Sequence, residues 1–82
     1  MRGFAGRRTL ARTLVARGQA LMEQARYGRA EPVLRRAVAE TERSYGRDTL
    51  EAAQALTQLA TCYKSLARFS EAGPLYQQAF FI

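Results

Sequence analysis

The stretch ARYGRAEPVLRRAVA, which runs from Ala25 to Ala39, decides the fold because a related stretch follows it. The second stretch, ARFSEAGPLYQQAFF, runs from Ala67 to Phe81, so each residue lies 42 positions after its counterpart. Three alanines, an arginine and a proline are identical, and Tyr27 and Phe69 keep an aromatic ring at one position. Such an internal repeat predicts an array of equivalent units that bury their apolar faces by stacking.

Apolar and small residues recur at helical spacing along the sequence. The pattern predicts four helices, at about 8–25, 29–44, 49–66 and 71–81. The short connections between them predict antiparallel neighbours. The expected apolar stripes are Leu10, Leu14, Leu21 and Ala25 on the first helix, Ala30, Val33, Leu34, Ala37 and Val38 on the second, and Ala52, Leu56, Leu59, Ala60 and Tyr63 on the third.

Helix ends are marked by residues with known preferences for those positions. We expect Gly46 to end the second helix in a left-handed conformation. Asp48 or Thr49 is predicted to cap the third helix, and Ser70 to cap the fourth. The prolines predicted in the first turns of the second and fourth helices, where a missing N–H costs least, are Pro32 and Pro74.

The chain has 82 residues, which predicts one domain over 1–82. We place repeat one at about 10–45 and repeat two at about 49–82, and we expect residues 1–8 to be flexible. A single cysteine and the absence of histidine exclude a disulfide framework and argue against a zinc site. We therefore expect no metal and no cofactor, with Cys62 buried as a small apolar side chain.

No apolar run approaches the roughly 18 residues of a membrane span, so we expect no membrane partner. The sequence from Met1 to Gly18 is arginine-rich and acid-free, which is also typical of targeting segments. Arg12, Arg17 and Gly18 interrupt any apolar stretch there, and the same residues carry the first repeat helix. We therefore expect a cytoplasmic protein, with a targeting segment as the alternative.

The repeat resembles the tetratricopeptide repeat, in the 42-residue form of kinesin light chains. The phrase AEPVLRRAV, over 30–38, carries the resemblance together with small Gly18 and Ala60 and the turn aromatics Tyr27 and Phe69. The resemblance implies an all-α fold of two tandem helix–turn–helix hairpins, with four antiparallel helices in a short right-handed superhelical array. The small residues would let the two helices of each hairpin approach closely.

Catalytic chemistry has no support in the sequence. The three serines and Cys62 lack a histidine partner, and no glycine-rich phosphate loop occurs. We therefore predict that the chain is not an enzyme and that its carboxylates are structural or solvated.

The resemblance implies a concave groove lined by the first helix of each hairpin, which holds a peptide or a helix. The exposed positions there are Arg12, Val15, Ala16, Gln19, Met22, Gln54, Thr57, Gln58, Thr61 and Lys64. The predicted partner-binding residues are Arg12, Gln19, Met22, Gln54, Gln58, Thr61 and Lys64. Arg12 and Lys64 favour an acidic protein or peptide partner. Val15, Gln19 and Thr61 stand where chaperone adaptors have Lys and Asn, so chaperone-tail binding is not implied.

Two other functions stay open at this point. The first is self-association as an oligomerisation segment, for which the predicted residues are Tyr76, Phe80, Phe81 and Ile82. Burying Phe80, Phe81 and Ile82 contributes about 5–8 kcal/mol against an association cost of about 4–15 kcal/mol, so these three residues alone predict a weak homo-oligomer. The second, less favoured, is nucleic-acid or phosphate binding, because residues 1–47 hold eleven of the twelve arginines in a chain of net charge +6.

Overall fold

A computed structural model describes the backbone of residues 2–82 and the side chains from Gly6 onward. Four helices carry the regular structure: α1 (Arg2–Glu23), α2 (Tyr27–Tyr45), α3 (Leu50–Ser65) and α4 (Phe69–Phe80). No strand occurs within these described residues. The predicted all-α fold of two tandem helical hairpins is confirmed.

Each helix packs mainly on its neighbours in the chain: α1 on α2, α2 on α3, and α3 on α4. The hairpins α1–α2 and α3–α4 therefore stack through α2 and α3. Helices α1 and α3 barely touch each other, so they flank an open groove instead of closing a bundle.

The core confirms that the two copies of the repeat play the same structural role. Ala30 is 0% exposed and its counterpart Ala72 is 4% exposed, and both belong to one buried cluster with Leu34 and Tyr63. Cys62 is buried as predicted, and its thiol donates to the Tyr27 carbonyl at 3.3 Å. Burial, followed by the nearby carboxylate of Glu31, raises the pKa of this thiol, which favours the neutral form.

Gly18 allows α1 and α2 to approach closely. A Cβ atom added to Gly18 would lie 2.7 Å from Cγ of Leu34 and closer still to one of its methyl groups. Leu34 is fully buried and cannot move away freely. The predicted role of this small residue inside the first hairpin is therefore confirmed.

The turn within each hairpin contains an alanine in the left-handed conformation. Ala25 has φ 59° and its counterpart Ala67 has φ 61°, whereas Gly28 lies inside α2. Ala25 is exposed in the turn, so its assignment to the apolar stripe of the first helix is wrong. Left-handed backbone at this position lets the following residues satisfy the last carbonyls of α1.

The same hydrogen-bond pattern ends α1 and α3. In the second turn, Arg68 N donates to the Tyr63 carbonyl at 2.8 Å, and Ala67 N donates to the Lys64 carbonyl at 3.0 Å. This pattern is a Schellman motif, which usually includes an apolar contact between its outer residues. Here a cation–π contact takes the place of the apolar one, with the Arg68 guanidinium 4.6 Å from the centre of the Tyr63 ring.

Because this motif leads directly into the next helix, α4 begins at Phe69, with Arg68 as its N-cap. The prediction that Ser70 caps the fourth helix is therefore wrong: Ser70 lies inside α4 and no side chain caps it. Likewise α2 begins at Tyr27, so Pro32 and Pro74 are each the sixth residue of their helix and lie in the second turn.

The connection between the hairpins agrees with the sequence more closely. Thr49 caps α3, accepting a hydrogen bond from Ala52 N at 3.2 Å, and Asp48 does not. Gly46 ends α2 with φ 102° and ψ 161°. These angles describe an extended backbone conformation that is almost exclusive to glycine. The predicted left-handed helical conformation of Gly46 is therefore wrong, although Gly46 does end α2.

Helix α1 begins at Arg2, six residues before its predicted start. No proline or capping residue interrupts the stretch before residue 8, so nothing local ends the helix there. The expected flexibility of residues 1–8 concerns motion and stays a prediction.

Candidate binding groove

The groove between α1 and α3 contains three consecutive clefts with volumes of about 280, 490 and 330 Å³. Gln19 lines all three, and Gln54 and Gln58 each line two of them. Val15, Ala16 and Met22 supply apolar surface on the α1 side. Amides above an apolar floor suit a peptide, because they can bond its backbone while its side chains fill the clefts.

Most of the residues predicted for this groove come together there. Six of the seven line the clefts: Arg12, Gln19, Met22, Gln54, Gln58 and Thr61. Lys64 is exposed near the end of α3 and lines none of these three clefts. The charged side chains that do line them are Arg12, Glu23 and Glu51.

Tyr45 organises the cleft at one end of the groove, and sequence reasoning missed this role. Its hydroxyl accepts a hydrogen bond from Arg12 Nε at 3.2 Å, and the Arg8 guanidinium lies 4.8 Å from its ring centre. The bond orients the Arg12 guanidinium and leaves its terminal nitrogens available. The helical spacing of Tyr45 from Thr41, which places both on one face of α2, is the signal that could have identified it.

Two polar side-chain atoms at the groove have no hydrogen-bond partner within the described protein. They are Oγ1 of Thr41, at the cleft beside Arg12, and Oε1 of Gln58, in the middle of the groove. A buried polar atom without a partner costs about 1–3 kcal/mol.

Thr61 and Tyr76 were predicted for different surfaces, yet they contact each other. The Thr61 hydroxyl and the Tyr76 hydroxyl lie 2.8 Å apart. Thr61 also donates to the Thr57 carbonyl at 2.9 Å, so its oxygen accepts the hydrogen bond from Tyr76. This bond helps to hold α4 against α3. Tyr76 is half-buried by this arrangement.

A network of charged groups joins α2, α3 and α4 outside the groove. Tyr63 donates to Glu31 at 3.0 Å, and Arg35 pairs with the same carboxylate at 3.0 Å. Burial, followed by the bond to Glu31, raises the pKa of Tyr63. The Arg68 guanidinium lowers the pKa of Glu71 through two hydrogen bonds of 2.6 and 2.8 Å. Of these pairs, the Tyr63–Glu31 bond links two helices, and none of the five residues lines the three clefts.

The arginines of α2 are partly neutralised where they lie. Arg35 pairs with Glu31, and Arg43 lies 3.6 Å from Glu40. This pairing weakens the basic surface that would attract phosphates. Across residues 6–82, no three side chains of metal-binding type form a cluster. None of the helices in the described backbone has the length and apolarity that a bilayer crossing requires.

The residues predicted for self-association lie at the end of α4. Phe80 is 83% exposed and Phe81 is 81% exposed, with their rings packed edge to face at 5.5 Å. Ile82 is 37% exposed. Exposed rings of this size are unusual on a free surface and mark a place where something can pack.

The family model for the tetratricopeptide repeat matches residues 9–80. This chain belongs to the tetratricopeptide-repeat family. Its repeats correspond to the hairpins α1–α2 and α3–α4, so the groove is walled by the first helix of each repeat. Tetratricopeptide repeats generally mediate protein–protein interaction and are generally non-catalytic. Comparison with curated proteins and with solved structures gives no significant match.

Proposed function

We propose that the groove between α1 and α3 binds a peptide or a helix from a partner protein, without any covalent step. The observation that supports this proposal is the continuous row of clefts in which Gln19, Gln54 and Gln58 face an apolar floor. The Gln58 side chain lines two of these clefts, and its amide can hydrogen-bond a ligand backbone. Binding then depends on shape and on hydrogen bonds to the ligand backbone.

An acidic side chain of the partner pairs with Arg12 in this proposal. Tyr45 holds Arg12 in place, which reduces the side-chain entropy that pairing would cost. Glu51 lines the same cleft and Glu23 lines another, so the groove as a whole does not attract anions strongly. The acidic group therefore fixes the register of the ligand and adds little to its affinity.

We also propose that the repeats are of the 42-residue form found in kinesin light chains and that the protein acts in the cytoplasm. The constant spacing between matched positions, from Ala25 and Ala67 to Ala37 and Ala79, supports the first part. In the same proposal, residues 1–82 form one domain, with the repeats at about 10–45 and 49–82.

Selection from a displayed library of random 15-residue peptides tests the groove. Peptides retained by the full chain are measured again with Gln19→Ala/Gln58→Ala, and we expect at least a tenfold loss of affinity. Gln77→Ala/Gln78→Ala is the matched control, because it removes two exposed amides from α4, outside the groove. Equal retention by the groove variant and the wild-type chain would contradict the proposal.

Self-association is the second candidate function, and the exposure of Phe80 and Phe81 favours it. We expect the mass measured by light scattering to rise with concentration in the high micromolar range. A monomer at every concentration up to that range would rule this candidate out while leaving the groove proposal intact.

A further inference from the structure

The constant offset between the two repeats allows the exposed face of α4 to be compared with the covered face of α2. On α2, Leu34 and Ala37 are fully buried, and Val38 packs against the core that includes residues of α3. Their counterparts on α4 are Tyr76, Ala79 and Phe80. Tyr76 and Ala79 are only half-buried, and Phe80 is 83% exposed. Helix α4 therefore presents to solvent the face that α2 buries in the stack.

The other end of the stack does not present a complementary face. Leu59 and Cys62 are buried on α3, and their counterparts on α1 are Arg17 and Ala20, which are both exposed. Arg17 thus occupies the position at which a stacked helix needs a buried leucine. Covering this guanidinium with the apolar surface of α4 would leave a buried charge without a partner, which is strongly unfavourable. A second copy therefore cannot add to the array by placing its α1 on α4.

Charge favours contact between two copies of α4. From Phe69 onward, the only charged side chain is Glu71, which pairs with Arg68. Eleven arginines lie in residues 1–47, so two copies that meet at α4 keep most of their positive charge away from the contact. We propose that two copies of this chain pair through α4 across a two-fold axis, with Phe80 and Phe81 of each copy at the centre. This inference depends on the self-association candidate above.

The available area fits a weak dimer. A buried phenylalanine contributes about 150–250 Å², so four rings that are about four-fifths exposed supply roughly 500–800 Å². Phe69 is 65% exposed and lies three helical turns before Phe80, on the same side of α4. Its two copies extend the area to roughly 700–1,100 Å², close to the lower limit of about 1,000 Å² for a specific interface. We therefore expect a dissociation constant in the micromolar range.

Sedimentation equilibrium of the full chain tests the stoichiometry. Protein concentrations of roughly 10 to 500 μM cover the dissociation constants expected for an interface this small. A two-fold contact uses the same surface on both copies and is closed, so the mass reaches that of a dimer and stops. Head-to-tail stacking leaves a free end and would give masses that continue to rise. Growth beyond the dimer would overturn the two-fold arrangement.

Substitutions locate the contact. Phe80→Ser/Phe81→Ser should raise the dissociation constant at least tenfold, while the exposed positions leave the helical circular dichroism unchanged. Leu50→Ser is the matched control, because Leu50 is 77% exposed at the start of α3 and also loses apolar area. A dimer that tolerates the double substitution, or that is weakened equally by Leu50→Ser, would overturn the assignment of the surface.

Cross-linking tests the symmetry. Gln77 is exposed one turn before Phe81, so Gln77→Cys places a thiol beside the proposed axis, while buried Cys62 stays unreactive. Oxidation of Gln77→Cys alone should give a covalent dimer. Formation of a cross-link only when Gln77→Cys is mixed with Arg17→Cys would overturn the proposal. Absence of any association by sedimentation would instead remove the self-association candidate itself.

Discussion

Substitution of Gly18 by alanine measures how closely α1 and α2 pack. Alanine is more favourable than glycine in a helix by about 1 kcal/mol, so the change would stabilise an open position. At Gly18, however, the new Cβ would lie 2.7 Å from Cγ of fully buried Leu34, well inside ordinary contact distance. Overpacking of this kind costs about 1–3 kcal/mol, so the net effect is a destabilisation of about 1 kcal/mol.

The matched control is Gly28→Ala. Gly28 is exposed in the first turn of α2, is not followed by a proline, and an added Cβ would meet no atom within 4 Å. The same substitution there should stabilise the chain by about 0.5–1 kcal/mol, because the helix propensity improves and no neighbour has to move. For a domain of this size, about 1 kcal/mol corresponds to a shift of about 4–8 °C in Tm. The two variants should therefore move in opposite directions.

Urea unfolding followed by circular dichroism gives both free energies directly. The comparison also allows for changes in the unfolded chain, because both variants replace glycine with alanine there. If Gly18→Ala stabilises the chain as much as Gly28→Ala does, the hairpin is not as closely packed as described and the reasoning is refuted.

Three further predictions concern helix ends and pH. Thr49→Ala should cost about 1 kcal/mol in urea unfolding because α3 loses its cap, whereas Asp48→Ala should change little. Ala25→Gly should stabilise by about 0.5–1 kcal/mol because φ is 59° there, whereas Ala39→Gly in the middle of α2 should destabilise. The raised pKa of Tyr63 means that the folded chain holds this proton more tightly than the unfolded chain. Its stabilising contribution is therefore complete below about pH 10 and is lost at higher pH, so Tyr63→Phe should show a shallower decline there.

The sequence predicts the hairpins well because the internal repeat constrains both copies at once. Ala30 and Ala72 are buried in one cluster, as their equivalence requires. Helix ends are predicted less well, because local preferences compete with hydrogen-bond geometry that extends across the turn. Ser70 is a favourable cap by residue type, but Arg68 already completes the motif that ends α3 and begins α4. Residue preference alone therefore does not predict where α3 ends or where α4 begins.

The groove is predicted in outline, and its details depend on contacts between distant residues. Six of the seven expected residues line the clefts, because the resemblance identifies α1 and α3 as the helices of the groove and the helical period gives the positions that share one face of each. Tyr45 reaches Arg12 across 33 positions of sequence, and no local pattern specifies that bond. The contact between the hydroxyls of Thr61 and Tyr76 likewise joins two helices, and no local pattern specifies it.

Positions at which the two copies differ carry more functional information than those at which they agree. Where Leu59 is buried, its counterpart Arg17 is exposed, and where Val38 packs on the core, its counterpart Phe80 faces solvent. Each difference occurs on an outer helix, which has a neighbouring hairpin on one side only. A charged residue at such a position disfavours apolar stacking, and an exposed aromatic residue favours it. The two-fold pairing proposed above follows from this difference, because it covers the aromatic surface of α4 and leaves Arg17 in solvent.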